Sequence, residues 1–153
     1  MNFDDIESAE AKVKRARALW QQLQAHFDNF VGFARRFAEA DCPIKGISID
    51  TPLPNEVFLG LVGRRVRVWM DFDRDAERGL LVVDDVTNCN SYDRKPVRIG
   101  TLAFDYSGAT EVTGGYLPGT KANISQPGDA WHLTMSILHE ALGVRLSDVG
   151  ARA

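Results

Sequence analysis

Histidine and glutamate stand side by side in LHEAL, residues 138–142. On a helix that pair begins the H-E-x-x-H arrangement, in which two histidines one turn apart hold zinc and the glutamate activates water. The second histidine would fall at 143, where the chain has Gly143. His132 shares a face with His139, but two helical turns leave the rings roughly 10 Å apart, too far for one ion. Both are read as solvated helix histidines.

Three other stretches fail in similar ways. DFDRDAERG sets Asp71, Asp73 and Asp75 at the alternate spacing of a calcium loop, but Ala76 stands where a glycine makes the sharp turn and Val82 where a bidentate glutamate closes the shell. GGYLPGTK, residues 114–121, approaches a phosphate-binding loop with Thr120 and Lys121 in reversed order, and Pro127 interrupts the helix start that would supply the dipole. NCNSYDRK places Cys89 in a polar loop without a histidine to raise its nucleophilicity, so a thiol enzyme would need His132 or His139 from the last helix. No G-x-S-x-G occurs. The reading is therefore no catalytic residue, no metal, no cofactor and no enzyme.

The elements that carry these stretches follow from hydrophobic period. Ile6, Ala9, Val13, Ala16, Trp20, Leu23, Phe27, Phe30, Ala34 and Phe37 recur in steps of three and four, predicting one long helix over 4–40. Acids at Asp4, Asp5 and Glu7 and bases at Arg35 and Arg36 suit the two ends of its dipole. Pro43 stops it. From Lys45 the period becomes two and turn residues recur, which predicts an antiparallel β-meander of about six strands over 45–116. Asp129 is the expected N-cap of a last helix over 129–142, with Trp131, Met135, Leu138 and Leu142 on its apolar stripe and Gly143 as its C-terminal cap. The fold class is α+β, with a long N-terminal helix, the meander and a C-terminal helix.

A chain of 153 residues fits a single domain, 1–153, with a core large enough to need no disulfide. Hydrophobic content of 44% with 25% charged residues is ordinary globular composition. The acidic N-terminus does not resemble a secretion signal, and no run approaches the roughly 20 apolar residues of a membrane span. Cys42 and Cys89 lie far apart and read as free thiols in a reducing cytoplasm. The net charge of −3 disfavours nucleic acid as a general partner.

Two surfaces remain as candidates. In VFLGLVGRRVRVWMDFD, residues 57–73, one side of the hairpin is wholly apolar while the other carries Phe58, Arg65, Arg67 and Trp69. A type II′ turn at Gly63 and Arg64 would set Leu61 opposite Val66, Leu59 opposite Val68 and Val57 opposite Met70. On the second face it would set Phe58 opposite Trp69, Gly60 opposite Arg67 and Glu56 opposite Asp71. The next strand, LLVVDDV, is apolar on both sides, as a central covered strand would be. That face is predicted to bind a partner unless the C-terminal helix buries Trp69 with Trp131 and Met135.

The second surface is the long helix. At about 55 Å it outruns a sheet about 29 Å wide. It should therefore either fold back near Asp28 and Asn29 or pair with a second chain through Val13, Ala16, Trp20 and Leu23 as a homodimer. The expected function is that of a small cytoplasmic protein-binding protein of adaptor, secretion-chaperone or toxin-neutralising type. The alternative is nucleic-acid or anionic-ligand binding through the Arg/Trp face.

Overall fold

A computed structural model describes residues 3–40, 42, 44–87, 89, 95–112 and 120–143. Helix α1 spans Phe3–Glu39 and runs without a break through Asp28 and Asn29. The fold-back considered for this pair does not occur, because both residues lie on the exposed side of the helix, while Leu23, Phe27, Phe30 and Ala34 are buried on the other. Gln24 caps this polar side locally, donating to Asp28 at 2.9 Å and to the carbonyl of Pro54.

Among the described residues seven strands follow: β1 Ser48–Asp50, β2 Glu56–Leu61, β3 Arg64–Asp73, β4 Arg78–Asp85, β5 Val97–Phe104, β6 Ala109–Val112 and β7 Thr120–Asn123. They pair in chain order, every neighbour antiparallel, as one meander curled into half a barrel. The strand beyond the expected six is β7, which lies past the predicted end of the sheet at residue 116. It is short, but its four residues pair with β6 from Ala109 to Val112. Residues 113–119, which include most of GGYLPGTK and the predicted end of the sheet, lie outside the described residues.

The first hairpin departs from its predicted register. Leu59 faces Val66, Val57 faces Val68 and Phe58 faces Arg67. The two turn residues are Val62 and Gly63, with φ of 54° and 73°, rather than Gly63 and Arg64. Positive φ at both central residues is the type I′ signature, whose twist matches that of the strands. The slip is two residues, an even number, so every side chain keeps its predicted face although each pair changes. In the β5–β6 hairpin Phe104 stands opposite Thr110.

The last helix, α2, spans Pro127–Gly143. Pro127 opens it, consistent with the preference of proline for the first helical position. Asp129 therefore lies inside the first turn rather than at the N-cap, and its carboxylate instead accepts the backbone N–H of Asn123 at 2.9 Å, tying β7 to α2. The buried stripe is Ala130, Leu133, Ile137, Leu138 and Ala141, while Leu142 is exposed. The predicted stripe thus lay to one side of the observed one.

Both helices pack on the same sheet face. Leu23, Phe27, Phe30, Leu133 and Ile137 join Val57, Leu59, Val66, Val68, Met70, Leu81 and Phe104 in one core. Trp131 rests against Phe37 of α1, ring centroids 5.5 Å apart, and Met135 packs against that same core. Neither reaches Trp69, so the expectation that α2 could bury it is not met.

Candidate functional site

The register assigns Glu56, Phe58, Arg65, Arg67, Trp69, Val82, Asp84 and Arg98 to the sheet face away from the helices. Alternation along β3 drives this placement: Val66, Val68 and Met70 are buried at 0–1% exposure, and the residues between them must point outward. A bulge between Val83 and Asp84 shifts the β4–β5 pairing so that Arg98 stands beside Asp84.

The outward residues form a chain of contacts. The Arg65 guanidinium lies over the Phe58 ring at 4.2 Å, and that of Arg67 over the Trp69 ring at 5.1 Å. Arg67 Nη2 donates to Glu56 Oε2 at 3.1 Å. Trp69 Nε1 donates to Asp84 Oδ2 at 3.1 Å, and Arg98 Nε donates to Asp84 Oδ1. Glu56 and Asp84 are themselves buried at 8% and 7% exposure, so each carboxylate is held under the arginine it neutralises. Val82, the cross-strand partner of Trp69, is 4% exposed although both α1 and α2 pack on the opposite face. Phe58, Arg67 and Trp69 are half-buried and Arg65 is exposed.

All four predicted partner-binding residues therefore come together on one face, in a pairing that differs from the predicted one. Phe58 stands opposite Arg67 and diagonal to Trp69. Glu56 stands opposite Trp69 rather than Asp71, and Gly60 opposite Arg65 rather than Arg67. The space over Gly60 is taken by the Ser48 hydroxyl of β1. At that edge a shallow groove of about 440 Å³ runs past Ser48, Asp50, Phe58 and Arg65.

Asp84 and Arg98 were not singled out from the sequence, and Glu56 was placed on this face only as the expected partner of Asp71. The usable signal was two adjacent acids ending the apolar run LLVVDDV, since a central strand buries carboxylates only when bases are in reach. The second of them, Asp85, is 0% exposed on the helix side, where it accepts from Thr87 N at 2.9 Å and pairs with Arg64.

The self-association residues divide. Leu23 is 0% exposed and Trp20 packs against the core, so both serve the monomer's own interior, while Val13 is 67% exposed and Ala16 half-buried. The sheet reaches α1 through the β3–β4 turn, where Arg15 grips Glu77 with two hydrogen bonds of 2.8 and 2.7 Å. That pair holds the Glu77 carboxyl below its ordinary range.

The candidate chemical stretches resolve into structure. Asp73 accepts the Ala76 N–H and the Arg78 Nε inside the β3–β4 turn; the first of these chiefly lowers its pKa, and Asp71 accepts the N–H of Phe72. The Asp75 side chain is 95% exposed. His132 and His139 are exposed on α2. Among the described residues no group of three or more His, Cys, Asp or Glu side chains could hold a metal ion. Cys42 and Cys89 are both free of disulfides, and burial followed by the nearby Asp85 charge pushes the Cys89 thiol above its ordinary pKa. Most of the rest of its loop, residues 88 and 90–94, lies outside the described residues.

One polar cluster was not anticipated. His26 Nε2 meets the carbonyl oxygen of Tyr106 at 2.7 Å, and Nδ1 meets the Ser125 hydroxyl. A carbonyl only accepts, so Nε2 carries a proton and donates it to Tyr106. The geometry is that of a serine–histidine pair, but a Cβ at Gly108 would stand only 3.0 Å from Nδ1, so the backbone closes over the ring. The cluster fastens α1 to the β5–β6 and β7–α2 turns.

No helix among the described residues is long and apolar enough to cross a membrane. Comparison with protein-family models, with curated proteins and with solved structures finds no match to this chain.

Proposed function

We propose that this chain is a small cytoplasmic, non-enzymatic protein-binding protein, of the adaptor, secretion-chaperone or toxin-neutralising kind. Its outer sheet face takes another protein, and its long helix also pairs with a second copy of the chain. The supporting observation is the one-sided packing of the helices. It leaves Phe58, Arg65, Arg67 and Trp69 side by side on the outer face of β2 and β3. Tryptophan and arginine dominate binding energy when a partner desolvates them at the centre of an interface, at about 2 kcal/mol or more each. Here the rings and guanidinium planes are already stacked and held by Glu56 and Asp84, which lowers the ordering cost on binding.

A polyanion is the less supported ligand. Arg67 and Arg98 are neutralised within the face by Glu56 and Asp84, which interrupts a phosphate-tracking stripe.

The test is affinity capture from the source cell with the wild-type chain and with a Trp69→Ala/Arg67→Glu variant. A captured protein should be lost in the variant while the melting temperature moves by no more than a few degrees. An unchanged capture profile overturns the reading. Salt-sensitive binding of labelled single-stranded RNA, lost in the same variant, would replace it with the nucleic-acid alternative.

A further inference from the structure

Residues 5–15 of α1 are exposed, and their sequence is ordered in a way that specifies how a second copy would lie against them. The seam continues the heptad stripe with Ile6 and Val13 at one core position and Ala9 and Ala16 at the other. Ile6 is 40% and Val13 67% exposed, Ala9 is exposed, and Arg15, which binds Glu77, stands off this seam. At Trp20 and Leu23 the same stripe enters the monomer's own core, which ends the exposed seam.

We infer that two copies pair through residues 5–17 of α1 as an antiparallel helix pair in which Ile6 faces Ala16 of the other copy and Ala9 faces Val13. Two features choose this arrangement. The first is shape: antiparallel alignment sets each large residue of the seam against an alanine. The helices can then approach closely along about 20 Å. Parallel alignment would set isoleucine on isoleucine, then alanine on alanine.

The second is charge. The positions flanking the seam are Asp5 and Glu10 in the first part, then Lys12 and Arg17. This antiparallel register lays the acidic stretch from Asp5 to Glu10 of each copy along the basic stretch from Lys12 to Arg17 of the other, and it brings Glu10 within reach of Arg17 across the interface as the closest opposite-charge pairing. That pairing occurs twice by symmetry. In a parallel pair Asp5 would meet Glu10 and Lys12 would meet Arg17, every contact repulsive. Acids preceding bases along one exposed helix thus specify both the partner, a second copy, and its direction.

This inference rests on the self-association proposed above, and the test separates the two. Sedimentation equilibrium of the full chain should show a monomer–dimer equilibrium by about 100 µM, a modest affinity suited to so short a seam. Arg17→Glu should weaken the dimer about tenfold or more. The double variant Glu10→Arg/Arg17→Glu should recover it, with circular dichroism unchanged throughout. An equimolar mixture of Ala9→Cys and Val13→Cys chains should cross-link between positions 9 and 13 on mild oxidation, as read by peptide mapping.

A monomer at that concentration overturns both self-association and its geometry. A dimer that cross-links 9 to 9 and 13 to 13, or that ignores the charge reversal, overturns the antiparallel register and leaves self-association standing.

Discussion

Val62 and Gly63 turn the first hairpin together, both at positive φ, yet only Gly63 adopts that conformation without steric cost. A β-branched residue in the left-handed region carries about 1 kcal/mol or more of strain. Val62 is 76% exposed, so its side chain offers no packing in return. Val62→Asn should therefore stabilise the chain by about 0.5–1 kcal/mol, raising the melting temperature by a few degrees in a thermal scan. A lower melting temperature would show that the turn is not of this type.

The same turn explains how much of the fold was legible in the sequence. Faces are set by period, and a period survives a register slip of two, so the buried side of β2 and β3 was readable while their pairing was not. Valine is a poor turn residue, and Gly63 followed by Arg64 offered a turn that cost nothing; the strand twist favoured the other. The fourfold cluster Phe58, Arg65, Arg67 and Trp69 was legible for the same reason of parity. Asp84, Arg98 and the His26–Ser125 cluster were not, because they depend on a bulge and on segments distant in sequence meeting in space. The helix seam was legible as a repeat. Where it passes from exposed to buried was not, since that depends on where the β3–β4 turn meets α1 at Glu77.

Gly79 lies opposite Phe104 on the inner face, and a Cβ there would collide with the phenyl ring, which is itself 1% exposed. Gly79→Ala should cost about 1–3 kcal/mol, the usual penalty of overpacking, measured by urea denaturation. The double variant Gly79→Ala/Phe104→Leu should lose less than the sum of its two single variants, since the residues share one space. Strict additivity would place the cost in the backbone instead.

Cys89 should be an unreactive thiol. Burial and the neighbouring Asp85 raise its pKa, so the nucleophilic thiolate is scarcer at neutral pH than in a free cysteine. Alkylation by iodoacetamide at pH 7.5, followed by mass spectrometry, should be several-fold slower at Cys89 than in a cysteine-containing peptide. Faster labelling would reopen the reading of its loop as a thiol site.

Acid stability should depend on Asp105 in the β5–β6 turn. Burial alone would raise its pKa, but the hydroxyl and N–H of Ser107, the N–H of Ala109 and the nearby His26 together hold it below the ordinary carboxylate value. A carboxyl depressed in the folded state stabilises the fold above its unfolded pKa. That contribution disappears as pH falls through the lower folded value. The melting temperature should therefore decline below about pH 4, where an unperturbed aspartate begins to bind a proton. Asp73 and Glu77 are shifted the same way and contribute to the same slope. Asp105→Asn should be less stable than wild type at pH 7, because the amide accepts the turn's N–H groups less strongly than a carboxylate. Its decline between pH 5 and pH 2.5 should be shallower. Parallel curves for the two proteins would mean that Asp105 titrates alike in the folded and unfolded chains, and that the hydrogen bonds of this turn do not favour its charged form.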